Sequence, residues 1–168
     1  MSDVKLQLGT IQQRFTSPSS SAMNGRALLL LLIAGVAGRA RHRRNLVQLA
    51  EMISCVQPGV SPLRYNNYGC WCGLGGSGKP VDGVDKCCKT HDQCYSTSRS
   101  VPECSSIVDS PYTIVYDYTC SNKQVECSDT NNKCQAAVCK CDKAVAQCFA
   151  RNPYHPKNKD LDKSHCVD

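Results

Sequence analysis

The sequence predicts a small, mainly α-helical, disulfide-rich domain that follows a processed N-terminal leader. Three observations predict it. Fourteen cysteines fall within 168 residues, an even and dense set that reads as a disulfide framework in a secreted chain. Two stretches free of glycine and proline each carry cysteines seven residues apart, Cys87 with Cys94 and Cys141 with Cys148. Only two Phe and one Trp are present, so the aromatic core is thin and cross-links must supply much of the stability.

The leader comes first. Residues 27–38, ALLLLLIAGVAG, are an unbroken apolar run of 12, too short to span a bilayer but suited to the core of a signal peptide. Arg26 precedes it, and Val36, Ala37 and Gly38 offer small residues for cleavage. The signal peptide is therefore assigned to 23–38, with Met23 at its start. Residues 1–22 are a polar upstream extension, and either methionine fits as the start. Residues 39–44, RARHRR, read as a basic propeptide removed by a processing protease after Arg44. The mature domain is 45–168, secreted and extracellular.

Charge follows this division. Residues 45–168 hold 13 Lys+Arg and 13 Asp+Glu, so 13 − 13 leaves no net charge, and the chain's +6 resides in the leader. The basic balance is thus no argument for nucleic-acid binding, and electrostatic attraction to anionic membranes is weak.

Within the domain, Leu46, Leu49, Ala50 and Ile53 mark a short amphipathic helix, broken by Pro58-Gly59 and Ser61-Pro62. Tyr68-Gly69-Cys70-Trp71-Cys72-Gly73-Leu74-Gly75-Gly76-Ser77-Gly78 is a glycine-rich loop pinned by two cysteines. A first long helix is expected over 85–98 and a loop over 99–115. A hairpin is expected from Tyr116 to Cys120 and Lys123 to Cys127, turning at Ser121-Asn122. A second long helix, capped by Ser128 or Asp129, carries Cys134, Val138, Cys141, Val145 and Cys148 on one stripe and stops before Pro153. Two helical turns rise about 10.5 Å, so antiparallel helices can be riveted twice, Cys87 to Cys148 and Cys94 to Cys141. That pairing brings Asp142 near His91. Spacing permits it but does not prove it. A Cys/Cys/His/Cys cluster is also a zinc-ligand set, which the leader and the even cysteine count disfavour.

Cys87-Cys88-Lys89-Thr90-His91-Asp92-Gln93-Cys94-Tyr95 is similar to the C-C-x-x-H-D-x-C helix of secreted phospholipases A2. The glycine-rich loop resembles that family's calcium loop, and Cys139-Lys140-Cys141-Asp142 its C-x-C-D. The resemblance runs from about Asn45 to Cys166. Val108-Asp109-Ser110-Pro111-Tyr112-Thr113 resembles the loop of the pancreatic-type subgroup. It implies an N-terminal amphipathic helix, a calcium-binding loop, two long antiparallel helices cross-linked by disulfides, and a small two-stranded β-wing. It implies a calcium-dependent enzyme that hydrolyses the sn-2 acyl ester of glycerophospholipids in membranes, micelles or other aggregates, acting peripherally and as a monomer.

The resemblance also implies roles. His91 is the general base and Asp142 orients it, with Tyr95 and Tyr116 bonded to Asp142. Ca2+ takes the Asp92 carboxylate and the carbonyls of Trp71, Gly73 and Gly75. The Gly73 N–H holds the oxyanion. Leu46, Val47, Leu63, Leu74 and Tyr112 form the interfacial surface and channel mouth. The implied disulfides are Cys55–Cys120, Cys70–Cys166, Cys72–Cys88, Cys87–Cys148, Cys94–Cys141, Cys104–Cys134 and Cys127–Cys139. Trp71 stands where the family more often has Tyr, a change that leaves its carbonyl in place.

The chemistry is coherent. Calcium wants several oxygen ligands, and glycines let a loop turn so that carbonyls converge. Imidazole titrates near the working pH and can take a proton from water. No G-x-S-x-G elbow is present. Singly, His91, Asp142, Tyr95 and Tyr116 would read as ordinary surface or core residues; only the joint pattern carries weight. The alternative from another class is a non-catalytic receptor- or channel-binding protein on the same scaffold, which the intact His91, Asp92 and Asp142 disfavour.

Overall fold

The computed structural model describes residues 45–104 and 110–167. The extension 1–22, the signal peptide 23–38, the propeptide 39–44, and Val108 and Asp109 of the expected loop lie outside them. In chain order the elements are α1 (Asn45–Val56), a 3-10 turn (Pro62–Tyr65), α2 (Gly83–Ser98), a second turn (Pro102–Cys104), β1 (Tyr118–Ser121), β2 (Gln124–Cys127), α3 (Lys133–Arg151) and two C-terminal 3-10 turns (Pro156–Asn158 and Lys163–His165).

The buried face of α1 is rotated from the expected stripe. Gln48, Met52 and Ile53 are buried and Leu49 is half-buried, whereas Leu46 is 66% exposed. A glutamine can face the core because its amide is fully used. Its Nε2 donates to the Tyr116 carbonyl at 2.5 Å, and its Oε1 accepts from the Tyr116 N–H at 3.2 Å. Apolar periodicity cannot register such a residue.

Helix α2 begins before the expected Asp85. Asp82 sits in extended conformation ahead of it and accepts the Asp85 N–H at 3.0 Å, which satisfies a free amide of the first turn. The cap of α3 is not Ser128 or Asp129 but Asn132. Its side chain accepts the Gln135 N–H at 2.9 Å while Gln135 Oε1 accepts the Asn132 N–H at 2.9 Å, a reciprocal capping box. The Ser128 hydroxyl is spent locally, accepting from the Thr130 N–H at 3.2 Å.

The hairpin turns one residue later than expected. Asn122 and Lys123 are its central residues, with φ of 52° and 63°, the left-handed pair that suits the twist of a tight hairpin. The strands are antiparallel with Tyr118 opposite Cys127 and Ser121 opposite Gln124.

All fourteen cysteines are paired. The bridges are Cys55–Cys120, Cys70–Cys166, Cys72–Cys88, Cys87–Cys148, Cys94–Cys141, Cys104–Cys134 and Cys127–Cys139, each joining the two cysteines that the resemblance implies. No thiolate remains for zinc. Cys87–Cys148 joins the start of α2 to the end of α3, and Cys94–Cys141 joins the end of α2 to the middle of α3, so the helices run antiparallel. Between and around them lie Met52, Ile53, Val84, Val138, Val145 and Phe149, with Tyr65 stacked on Phe149 at 4.0 Å between ring centroids. Among the described residues no helix is long and apolar enough to cross a membrane.

Candidate active site

His91 and Tyr95 are one helical turn apart on α2, so their side chains share a face. Both point at α3. His91 Nε2 lies 2.7 Å from Asp142 Oδ1, the Tyr95 hydroxyl donates to the same oxygen at 2.8 Å, and the Tyr116 hydroxyl donates to Oδ2 at 2.5 Å. Asp142 is fully buried and the His91 side chain is 12% exposed. Three donors therefore surround a buried carboxylate, which is how a buried charge is tolerated. An accepting Asp142 places the proton on Nε2, which leaves Nδ1 with its lone pair free. Burial, and next the Asp142 charge, push the Tyr116 phenol far above its ordinary value. Tyr116 thus stays a donor throughout the working range.

The glycine loop is held against α2 from several sides. Cys72–Cys88 ties it covalently to the helix, and Cys70–Cys166 ties it to the C-terminal segment. Asp85, also fully buried, accepts the N–H groups of Cys70 at 2.8 Å, Trp71 at 2.7 Å and Val81 at 2.9 Å. Gly69 makes room for this carboxylate: it has φ +58°, and a Cβ there would lie 2.4 Å from Asp85 Cγ. The Trp71 indole lies over Gly76, where a Cβ would stand 2.5 Å from the ring, and its Nε1 donates to the Gly78 carbonyl at 3.0 Å. The side chain at position 71 thus braces the loop, a role that sequence reasoning did not give it.

Asp92 follows His91 on α2 and is half-buried. Burial pushes its carboxyl above the ordinary value, and the neighbouring His91 pulls it partly back. The Asp92 carbonyl accepts the Ser96 hydroxyl at 2.9 Å, whereas its carboxylate has no hydrogen bond and no ion-pair partner among the described residues. The carbonyls of Trp71, Gly73 and Gly75 accept no hydrogen bond there either, and the Gly73 N–H donates none. Gly73 and Gly75 have φ of +134° and +72°, backbone shapes that glycine allows readily. A half-buried carboxylate without a counter-cation, on the helix to which Cys72–Cys88 ties a loop with three unused carbonyls, offers oxygen donors of the kind a hard divalent cation takes. Among the described residues no cluster of three or more His, Cys, Asp or Glu side chains is arranged for a metal, as befits a set made mostly of backbone oxygen.

The five expected interfacial residues, Leu46, Val47, Leu63, Leu74 and Tyr112, are all exposed, and Leu74 wholly so. Tyr112 is linked directly to the His91–Asp142 cluster, its ring set edge-on to Tyr95 at 5.3 Å. Leu46 and Val47 are linked through Gln48, which grips the backbone of Tyr116. Gln48 and Asp85 are the two buried polar residues that support the site without touching its centre. Gln48 was signalled in the sequence only by its match to a family position, and Asp85 by nothing beyond its place at the expected helix start.

The family model described as phospholipase A2 matches residues 46–159. The chain is 49% identical over 141 residues to a phospholipase A2 of Bos taurus, covering 83% of this chain and 96% of that protein. It is 52% identical over 122 residues to a phospholipase A2 of Ovis aries, covering 72% and 99%. It is 48% identical over 124 residues to the acidic phospholipase A2 KBf-grIB of Bungarus fasciatus, covering 73% and 87%.

Proposed function

The chain belongs to the phospholipase A2 family and is a phospholipase A2 enzyme, and from that premise we propose a calcium-dependent hydrolase of the sn-2 acyl ester of glycerophospholipids. Its products are a lysophospholipid and a free fatty acid. The observation that carries the reading is the His91–Asp142 couple, closed at 2.7 Å with the second ring nitrogen left free.

His91 Nδ1 takes a proton from water, and the resulting hydroxide attacks the ester carbonyl carbon. Asp142 stabilises the imidazolium so formed and keeps its ring in orientation. Tyr95 and Tyr116 hold Asp142 in turn. The Gly73 N–H donates to the oxygen on which negative charge develops. When the tetrahedral intermediate collapses, His91 returns the proton to the departing lysophospholipid oxygen. Calcium, when held by Asp92 and the carbonyls of Trp71, Gly73 and Gly75, supplies Lewis-acid stabilisation of that negative charge. Leu46, Val47, Leu63, Leu74 and Tyr112 seat the enzyme on the lipid aggregate, where apolar insertion counts for more than charge.

The same reading makes the protein a secreted monomer, with residues 23–38 removed as a signal peptide and 39–44 removed after Arg44. The seven disulfides, which persist in oxidising compartments, support the extracellular assignment. Nucleic acid is not a partner.

The test is fatty-acid release from mixed micelles by protein beginning at Asn45. Chelator should abolish turnover. His91→Gln should lower it by about 10³-fold or more, in keeping with loss of a general base, yet keep calcium binding measured by calorimetry. Asp92→Asn should lose both. Near-normal turnover of His91→Gln would assign the base elsewhere.

A further inference from the structure

Helix α2 has a second face, turned away from His91, that borders a groove. Lys86, Lys89 and Gln93 lie about half a turn round the helix from His91, since successive residues are spaced at 3.6 per turn. With Lys79, Pro80, Asp82, Gly83 and Thr90 they line a groove of about 430 Å³, which the reaction derived above does not use.

The electrostatics of this groove are one-sided. Lys79, Lys86 and Lys89 form no ion pair among the described residues. Asp82 is the one carboxylate in the lining, and it is turned inward. Its oxygens accept the Asp85 N–H at 3.0 Å, the Asn158 amide at 2.8 Å and the Tyr68 hydroxyl. The Lys89 ammonium stands 4.7 Å from the Trp71 ring centroid, a cation–π contact that holds its stem on the protein beside the groove. The Gln93 side-chain amide is exposed and donates no bond among the described residues. The wall is also firm. The Lys79 N–H donates to the Val167 carbonyl at 3.1 Å, and Gly78 is pressed against Cys166 so closely that a Cβ would come within 2.6 Å of its carbonyl carbon.

We propose that this groove binds a soluble multivalent oxyanion, a ligand carrying two or more phosphate or sulfate groups. Three cations without counter-charges on a fixed wall attract anions. The donors do not converge on one point. From Lys86 to Gln93 the stripe runs two helical turns, about 10.5 Å, and the groove exceeds what one tetrahedral anion needs. Linked anionic groups can meet Lys79, Lys86, Lys89 and the Gln93 amide together. A lipid headgroup carries the same chemistry, but Tyr112, one of the residues assigned to the lipid surface, packs on Tyr95 on the His91 side of α2. The groove looks the other way.

Tripolyphosphate is the probe, titrated by calorimetry into the disulfide-bonded protein in calcium-free buffer of low ionic strength. One saturable site is expected, and the Lys79→Gln/Lys86→Gln double variant should weaken it by about tenfold, the worth of roughly one charged hydrogen bond. Inorganic sulfate should compete only feebly. Partition onto anionic phospholipid vesicles and hydrolysis of mixed micelles should be the same for both proteins. No saturable binding, or equal affinity in the double variant, overturns the site. Loss of vesicle partition in the double variant overturns the soluble ligand and assigns the groove to the lipid surface.

Discussion

Two glycines of the same loop separate backbone strain from side-chain collision. Gly69 and Gly75 both have positive φ, +58° and +72°, so Ala at either position costs about 1 kcal/mol for the left-handed backbone. At Gly75 nothing lies within 4 Å of the new Cβ, and the cost ends there. At Gly69 the Cβ would lie 2.4 Å from Asp85 Cγ and 2.6 Å from each carboxylate oxygen. A contact under 3 Å cannot stand, and Asp85 has no flexible end to withdraw, because its oxygens hold the N–H groups of Cys70, Trp71 and Val81. Losing two of these bonds to a charged acceptor removes about 3 kcal/mol at 1.5 each. Gly69→Ala should therefore destabilise by about 4 kcal/mol against about 1 for Gly75→Ala. The measurement is guanidinium unfolding of both variants with the disulfides intact, alongside calcium titration. Gly69→Ala should also bind calcium more weakly, because Trp71 hangs from Asp85. Equal stability of the two variants would refute the view that Asp85 organises the loop.

Tyr116→Phe removes a buried hydroxyl bonded to Asp142 at 2.5 Å and should cost about 2 kcal/mol of stability, with a smaller loss of turnover than His91→Gln, since Tyr95 and His91 still hold the carboxylate. Burial and the Asp142 charge raise the Tyr116 phenol in the folded state, so the native protein retains a proton that the unfolded chain releases near pH 10. The stability this proton supports is complete below that pH and is lost as pH rises above it. Urea unfolding at alkaline pH should show a shallower decline for the Phe variant, and identical slopes would argue against a buried protonated phenol. Leu74→Ala and Leu46→Ala should reduce hydrolysis of zwitterionic vesicles several-fold, each burying apolar area worth about 25 cal/mol per Å². Both should leave hydrolysis of monomeric short-chain lipid nearly intact, and equal losses on the two substrates would place these residues in the fold instead.

What the sequence by itself determined was local or chemical. Short-range spacing located three helices, because burial of one face repeats every turn. Glycines and cysteines together marked a loop that cannot be regular, and the two seven-residue cysteine intervals matched two turns of paired helices. The motifs around His91, Asp92 and Asp142 carried the resemblance to the phospholipase A2 family, to which the chain belongs. Errors fell where a local signal had several equivalent bearers. Ser128, Asp129 and Asn132 all have capping side chains, and Gln135, three residues after Asn132, completes the capping box that selects it. The hairpin turn moved by one residue because Asn122 and Lys123, not Ser121, take left-handed backbone once the strands pair. Only the tertiary structure decided the roles of Gln48 and Asp85. Each is a polar side chain in a buried place, and its stability there depends on backbone groups of Tyr116 for Gln48, and of Cys70 and Trp71 for Asp85, that are distant in sequence. The groove opposite His91 was likewise invisible, since a lysine run along a helix is a solvated face until the fold supplies the opposing wall. Periodicity reports which residues leave water, whereas partners for buried polar groups and the walls of a cavity exist only after distant segments meet.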